Sequence, residues 1–504
     1  MNIKEKNIEE YYEGLNYRRF LMVLIPCLFL SNLMMPSIFP KIEMQAIGLV
    51  SVFFIIYYGT ITNYNIFNFI LIIYIFSIFD FGGNQAGAFN IISFAIIIAG
   101  LAKIRRLSDF PAANRTNNFF VFAFLTFNVL GWIFNEETGF NGILMGMISL
   151  PGYLLVFNVT SKIYITRKRL KAFLVICILL LVWMAIVSLN MRFIFIYSKS
   201  SLFGNMDSFI GSSRVGSVLD FSASAEYTMV MLILLFPFFV SNLTENELNL
   251  NRNWFIIAFL SIFILIALTQ MRSNLFLSIV FLVVFFFFVI LRKSKGKFNL
   301  TRFYGSLSIL LLFFVLLSST LRTEDFLRRL SEVNIDNLDY ESVTSGKGIN
   351  RGTITLISLA RIAERPWILG FGWGNLNGNR TAWFGPVFRD YIDPHNLYYS
   401  IIPVFGWTGS LFFILLIVNT IKNIIIVNLK RKNKESNYLT ILSYSFIFAF
   451  VFFLINQFKA TIITYPHYFM IFWIWLGLAN ATVRTIEAQE EDKKNSRDES
   501  SLAL

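Results

Sequence analysis

Long apolar stretches recur along the whole chain and limit its fold more than any motif does. Each spans roughly 16 to 22 residues, near the length at which a helix crosses about 30 Å of hydrocarbon. Hydrophobic residues make up 56% of the 504 residues, charged residues only 14%, and the mean hydropathy is +0.63, all far from soluble proteins. We therefore predict an all-α polytopic integral membrane protein with about fourteen transmembrane helices. The stretches are 20–39, 43–59, 66–80, 86–102, 119–134, 142–158, 172–190, 222–241, 254–271, 273–291, 303–320, 397–421, 438–457 and 462–480.

The basic residues of the loops predict the orientation. With fourteen spans every basic cluster falls on one side, which the positive-inside rule assigns to the cytoplasm. Both termini then lie inside, and the long polar segment 321–396 lies outside as one large loop carrying short helices. The clusters are Lys4, Lys6, Arg18 and Arg19; Lys103, Arg105, Arg106 and Arg115; Lys162, Arg167, Lys168, Arg169 and Lys171; Arg292, Lys293, Lys295 and Lys297; and Lys430, Arg431, Lys432 and Lys434.

The same pattern divides the chain into five parts. A second outer segment, 191–221, interrupts the first membrane bundle, and the mixed-charge residues from Thr485 onward predict a disordered tail. The parts are a cytoplasmic lead 1–19, a bundle of about eleven helices 20–320, the outer loop 321–396, about three helices 397–480, and a cytoplasmic tail 481–504.

Composition also argues against several functions. The net charge of +13 is dispersed over loops that the orientation rule already explains, so we predict no nucleic-acid partner. Cys27 and Cys177 both fall inside predicted spans and form no ligand set, which predicts no metal site. The 58 Phe residues are interpreted as lipid-facing, and Tyr465, His467 and Trp473 as an aromatic belt at the membrane interface.

His395 is the candidate for chemistry, because it lies where the outer loop meets the apolar run that begins at Leu397. A histidine there can titrate near neutral pH while it contacts lipid-borne substrates. Plainer roles stay open: His395 could cap the following helix or bond a backbone carbonyl. Asp393 could either orient the imidazole or serve as a turn residue before Pro394.

The outer loop has internal order upstream of His395. Residues 351–364 read as a helix that Pro366 ends. Arg351 and Arg365 are fourteen residues apart, about four helical turns, so they project on nearly the same side. The glycine-rich turn 369–375 follows, and it allows the backbone to approach another segment closely.

Taken in order, these motifs resemble the O-antigen ligase and polymerase superfamily. The resemblance covers about 210 to 410, and it departs from the family pattern at Met271, Ser273 and the Phe221-Ser222 pair. Its parts are Arg214-Val215-Gly216 with Asp220, the stretch Leu268-Thr269-Gln270-Met271-Arg272-Ser273, the Arg351 helix, the turn Pro366 to Asn375, His395-Asn396-Leu397-Tyr398-Tyr399, and Phe405-Gly406-Trp407-Thr408-Gly409.

This resemblance implies a glycosyltransferase that needs no metal or other cofactor and uses glycans carried on undecaprenyl diphosphate. It would act on the periplasmic or extracellular face of the bacterial cytoplasmic membrane. By carry-over, Arg272 and Arg351 hold the diphosphate and His395 activates the acceptor hydroxyl. Arg214 is a further substrate-binding candidate, and Arg365 and Asp393 are possible supports. Position alone also allows Arg272 to be an interfacial anchor and Arg351 a solvated loop residue.

Three functions remain. A polymerase joins lipid-linked repeat units, and the length of this chain favours it, with a chain-length regulator protein as an implied partner. A ligase moves the finished glycan to lipid A-core or to protein. A flippase moves lipid-linked oligosaccharide without chemistry, but such transporters tend to show repeated halves, which this sequence lacks.

Overall fold

The computed structural model describes the larger part of the chain from residue 115 onward, with gaps, and five residues before it. Where these residues form regular elements, the elements are helices. The described residues are 67, 70, 71, 73, 74, 115–134, 140–198, 221–241, 243–269, 272–291, 305, 359, 362–363, 367–373, 396–430, 438–458, 463 and 466–502.

The helices of these ranges are numbered here in chain order. Each of them except the short α5 coincides with an apolar stretch of the sequence. They are α1 (Arg115–Phe134), α2 (Phe140–Ser161), α3 (Arg167–Ser198), α4 (Phe221–Val240), α5 (Leu243–Leu248), α6 (Arg252–Thr269), α7 (Arg272–Leu291), α8 (Leu397–Lys430), α9 (Tyr438–Asn456) and α10 (Pro466–Leu502).

The all-helical membrane class is confirmed for this part of the chain. Six helices of the described ranges contain segments long and apolar enough to cross a membrane, and two shorter apolar segments accompany them. The stretches 20–39, 43–59 and 86–102 lie outside the described residues. The total of about fourteen therefore stays a prediction.

Aromatic contacts fix how neighbouring helices run. Phe281 of α7 packs against Phe452 of α9 at 5.6 Å between ring centroids, and Phe288 packs against Tyr444 at 5.2 Å. The positions rise along α7 while they fall along α9, so the two helices are antiparallel. The start of α7 is consequently level with the end of α9.

The same reasoning places α1, α4 and α8. Asn117 near the start of α1 bonds Asn419 near the end of α8, so α8 begins level with the end of α1. Gln457, just past α9, bonds Glu226 near the start of α4. The end of the bundle that holds the start of α4, α7 and α8 and the end of α9 is called the turn end below.

The opposite end, called the basic end, gathers the loop 162–166, the segment 249–251, the start of α9 and the region of Thr485. The Tyr438 hydroxyl donates to the Ile165 carbonyl (3.0 Å), and the Ile165 N–H donates to the Thr485 hydroxyl (2.9 Å). The start of α3, rich in Lys and Arg, therefore shares one end of the bundle with the end of α8, where Lys430 interacts with Glu487 of α10.

Two expectations from the sequence are wrong in the described residues. Many phenylalanines are buried between helices instead of facing lipid: Phe236 packs edge-on against Phe281 at 5.9 Å, and both are nearly inaccessible. Trp473 is likewise buried in the core, not at an interface. Phe122 and Phe287 do face outward, as predicted.

The tail is a third expectation that the structure corrects. The sequence predicts disorder from Thr485, but α10 continues without interruption to Leu502. Beyond the apolar stretch, the tail is rich in Glu, Ala, Lys and Arg, which favour helix without needing an apolar partner.

Candidate functional site

The glycine-rich turn docks on a break in α8, where Gly406 has φ 71° and ψ 171°. In an unbroken helix the Trp407 N–H would donate to the Pro403 carbonyl. It donates instead to the Trp367 carbonyl (2.8 Å), and the freed Pro403 carbonyl accepts the Phe371 N–H (2.8 Å). The turn and the helix thus exchange backbone hydrogen bonds, which holds residues 367–373 rigidly against α8.

Glycine is required at the contact itself. A Cβ atom on Gly370 would overlap the Val404 carbonyl oxygen and the Gly406 nitrogen. Gly372, with φ +80°, lies against the ring of Trp132 at the end of α1. The close approach predicted from the glycine pattern is confirmed, and its partners are α1 and α8.

Trp373 anchors the far side of the turn. Its N–H donates to the Asn128 side-chain oxygen (3.1 Å), and its carbonyl accepts the Trp132 indole N–H (3.0 Å). Its own indole N–H donates to the Ile463 carbonyl (3.3 Å), and the Tyr153 ring packs edge-on at 5.1 Å. Segments far apart in sequence therefore meet around one tryptophan.

Asn396, the neighbour of His395, caps α8. Its side-chain oxygen accepts the N–H groups of Tyr398 (2.9 Å) and Tyr399 (3.4 Å), as an N-cap residue does. Its side-chain amide donates to the Phe458 carbonyl (2.9 Å), which ties the start of α8 to the end of α9. Since Asn396 supplies the cap, the capping role considered for His395 is already filled.

Glu226 is a buried carboxylate at the same end that the sequence analysis did not single out. It is 1% exposed, and its Oε2 accepts a hydrogen bond from the Gln457 side-chain amide at 3.4 Å. The available signal was a lone acidic residue inside the apolar stretch 222–241, since ionisable groups within spans usually mark functional sites.

Of the predicted site residues, the structure locates one. Arg272 is the first residue of α7, so its backbone lies at the turn end, level with the start of α4 and the end of α9. Arg214, Arg351, Arg365, Asp393 and His395 lie outside the described residues. His395 is nonetheless joined directly to Asn396, which fixes the point where its segment meets the bundle.

Three residues of the outer loop support part of the helix predicted there. Leu359, Ile362 and Ala363 are helical, within the stretch predicted as a helix from Arg351 to Glu364.

Among the described residues, no group of three His, Cys, Asp or Glu side chains is placed to hold a metal ion.

These features define a helical membrane protein that brings a glycine-rich turn, a capped helix start and a buried carboxylate to one end of its bundle. Residues 256–414 match a family model described as O-antigen ligase, a segment that includes most of α6, all of α7, the turn and the first half of α8. The match confirms the resemblance found in the motifs: residues 256–414 are similar to the O-antigen ligase and polymerase superfamily. A comparison with curated proteins finds no match.

Proposed function

We propose that the protein is a surface-polysaccharide polymerase, a glycosyltransferase that joins oligosaccharide repeat units carried on undecaprenyl diphosphate. The reaction takes place at the turn end, which faces the outside of the bacterial cytoplasmic membrane. The family match supports a glycosyltransferase-like enzyme that acts on lipid-linked glycans.

One observation carries the site assignment: Arg272 and the segment that leads into Asn396 come to the same end of the bundle. Arg272 begins α7, whose start is level with the end of α9, and Asn396 caps α8 and donates to the Phe458 carbonyl just past the end of α9. Residues 124 positions apart in sequence, Arg272 and Asn396, are therefore brought to one end of the membrane bundle, as a shared site requires.

The chemistry suits these residue types. The acceptor hydroxyl attacks the anomeric carbon of the donor, the bond from that carbon to the phosphate oxygen breaks, and the lipid diphosphate departs. His395 accepts the hydroxyl proton. Arg272 and Arg351, with Arg214 as a further contact, stabilise the charge on the diphosphate, because a guanidinium binds phosphate with two parallel donors. Arg365 and Asp393 support the arginine and the histidine.

A ligase is the second candidate, because the matching family is that of O-antigen ligase. Purified protein supplied with a lipid-linked repeat unit as the only glycan separates the two. A polymerase yields a ladder of longer lipid-linked glycans, whereas a ligase yields none until lipid A-core or a protein acceptor is added. Transfer only to such an acceptor would replace the polymerase assignment.

Single cysteines test the orientation. In a background without Cys27 and Cys177, a cysteine at Gly346 is expected to react with a membrane-impermeant thiol reagent in intact cells. Cysteines at Lys295, at Lys432 and at the exposed Lys168, which stands in for its buried neighbour Arg169, are expected to react only after the cells are opened. Labelling of the Lys295 site alone in intact cells would invert the topology and remove His395 from the outer face.

A further inference from the structure

Glu226 is an ionisable side chain in the interior of a membrane bundle. It lies near the start of α4, where every side chain from Ser224 onward is buried. A carboxylate at this depth is costly, and such residues are rare outside functional pathways. No part of the reaction described above uses it.

Contacts connect Glu226 to the start of α8. The Gln457 side-chain amide donates to Glu226 (3.4 Å), and the Gln457 backbone carbonyl accepts the Leu397 N–H (2.9 Å). The next carbonyl along, that of Phe458, accepts the Asn396 side-chain amide (2.9 Å). One turn at the end of α9 therefore couples α4 to the two residues that directly follow His395.

The surroundings of Glu226 differ from those of a purely structural polar cluster. At the other end of the bundle, Asn117 donates to Asn480 (2.6 Å) and accepts from Asn419 (2.7 Å), so the amides satisfy one another. Near Glu226, the buried Tyr468 hydroxyl has no hydrogen-bond partner among the described residues. Buried donors without such a partner also occur at the basic end, for example Nε of Arg252, so it is the link through Gln457 to α8 that distinguishes Glu226.

We propose that Glu226 is a positioning residue for glycosyl transfer, which acts through Gln457 to fix the start of α8 at Asn396 and Leu397, directly after His395 in the sequence. It does not contact substrate. Its carboxylate holds the Gln457 side chain, and the backbone beside that side chain holds the start of α8. This inference rests on the proposed function, because the segment it positions carries the proposed base.

The test uses full-length protein in lipid vesicles and a lipid-linked donor. Glu226→Met keeps a similar side-chain shape but cannot accept the Gln457 hydrogen bond. We expect kcat to fall about tenfold to a hundredfold with an unchanged KM, as when a reacting group is displaced by about 1 Å. Glu226→Gln should keep most of the activity, since its amide oxygen accepts the same bond.

Gln457→Met removes the same Gln457–Glu226 hydrogen bond from the other side. It should lower kcat by a similar factor, and the double variant should be no worse than either single variant, because the two side chains act as a unit. Asn480→Leu is the matched control: it breaks a buried interhelical hydrogen bond at the other end, and should lower Tm without changing kcat.

The outcomes separate the two levels of the proposal. Absence of transfer by the wild-type protein to every acceptor would overturn the proposed function together with the positioning role. Active wild type with a normal kcat in Glu226→Met and Gln457→Met would overturn only the positioning role. A raised KM with normal kcat would also overturn it, since Glu226 would then serve binding.

Discussion

The two ends of the bundle are built differently. At the basic end, loops close with short, complementary hydrogen bonds: the Lys171 ammonium donates to the Asn249 carbonyl (2.7 Å), and the Tyr438 N–H donates to the Glu247 carboxylate (3.0 Å). At the turn end, α8 is broken at Gly406, a turn is inserted against the break, and a carboxylate is buried.

The broken helix and the inserted turn are what is expected if the turn end carries the proposed site. Broken helices and buried ionisable groups cost stability and are retained in membrane proteins where they form sites. At the basic end, burial and then the nearby Arg484 lower the pKa of the Lys162 ammonium.

Among the variants that test the difference between the two ends, removal of the proposed base should have the largest effect. His395→Ala should reduce transfer by roughly two to four orders of magnitude, the usual contribution of positioned acid–base catalysis. Donor binding should be almost unchanged, because the arginines supply it. Glycan length after in vitro reaction, beside a donor-binding assay, measures both.

The role of His395 as a base also predicts how activity changes with pH. A general base must be neutral, so wild-type activity should fall as the pH drops through the imidazole pKa, ordinarily about 6.5. Normal elongation by His395→Ala would assign the base elsewhere, and loss of donor binding would place His395 in the substrate clamp.

Arginines that begin neighbouring helices give the next contrast. Arg272 begins α7 at the turn end, and Arg252 begins α6 at the basic end, where its guanidinium lies 5.1 Å from the Phe239 ring centroid. Arg272→Ala should lower kcat by about 10² to 10³, as the loss of one charge-stabilising donor does. Arg272→Lys should recover part of this, since it keeps the charge without the planar fork.

Arg252→Ala is the control for that variant, and it should leave transfer within about a factor of two because it removes only a cation–π contact of about 0.5 to 1 kcal/mol. Equal activity in Arg272→Ala and wild type would reduce Arg272 to an interfacial anchor. Equal losses in both alanine variants would mean that the two ends do not differ in function.

The glycine turn offers a smaller, structural effect. Gly370→Ala places a methyl group against the Val404 carbonyl and should destabilise the protein by about 1 to 3 kcal/mol. Gly305→Ala is matched to it, since a Cβ at Gly305 meets nothing within 4 Å. Thermal unfolding in detergent should show a lower Tm for Gly370→Ala alone. A similar Tm in both variants would show that the turn does not pack as described.

Much of the fold could be predicted from the sequence. The apolar stretch predicted at 438–457 is α9, Tyr438–Asn456, and the run from Leu397 begins α8 at that residue. These bounds are predictable because transfer into hydrocarbon depends on local composition. The end of α10 is not predictable in this way, because beyond the apolar stretch the helix depends on helix propensity, which hydropathy does not measure.

The partners of each segment were not predictable. Gly370 indicates a close approach, but its contacts with Gly131 and Val404 join residues far apart in sequence. Hydropathy also cannot tell Phe281, packed between helices, from Phe287, which faces outward, since lipid and protein interiors are equally apolar. Glu226 carried a usable signal, but the contact with Gln457 that connects it to the site could not be read from the sequence.

The smallest effect is expected at the basic end, where Thr485 can be altered without touching the turn. Thr485→Val removes the acceptor of the Ile165 N–H and leaves that buried donor without its partner, at a cost of about 1 to 3 kcal/mol. Thr485→Ser keeps the hydroxyl and should retain most of the stability. Thermal unfolding should therefore distinguish the two variants, while both keep wild-type kcat in the transfer assay. A fall in kcat for Thr485→Val per folded molecule would show that the basic end is coupled to the chemistry, and the functional division between the two ends would fail.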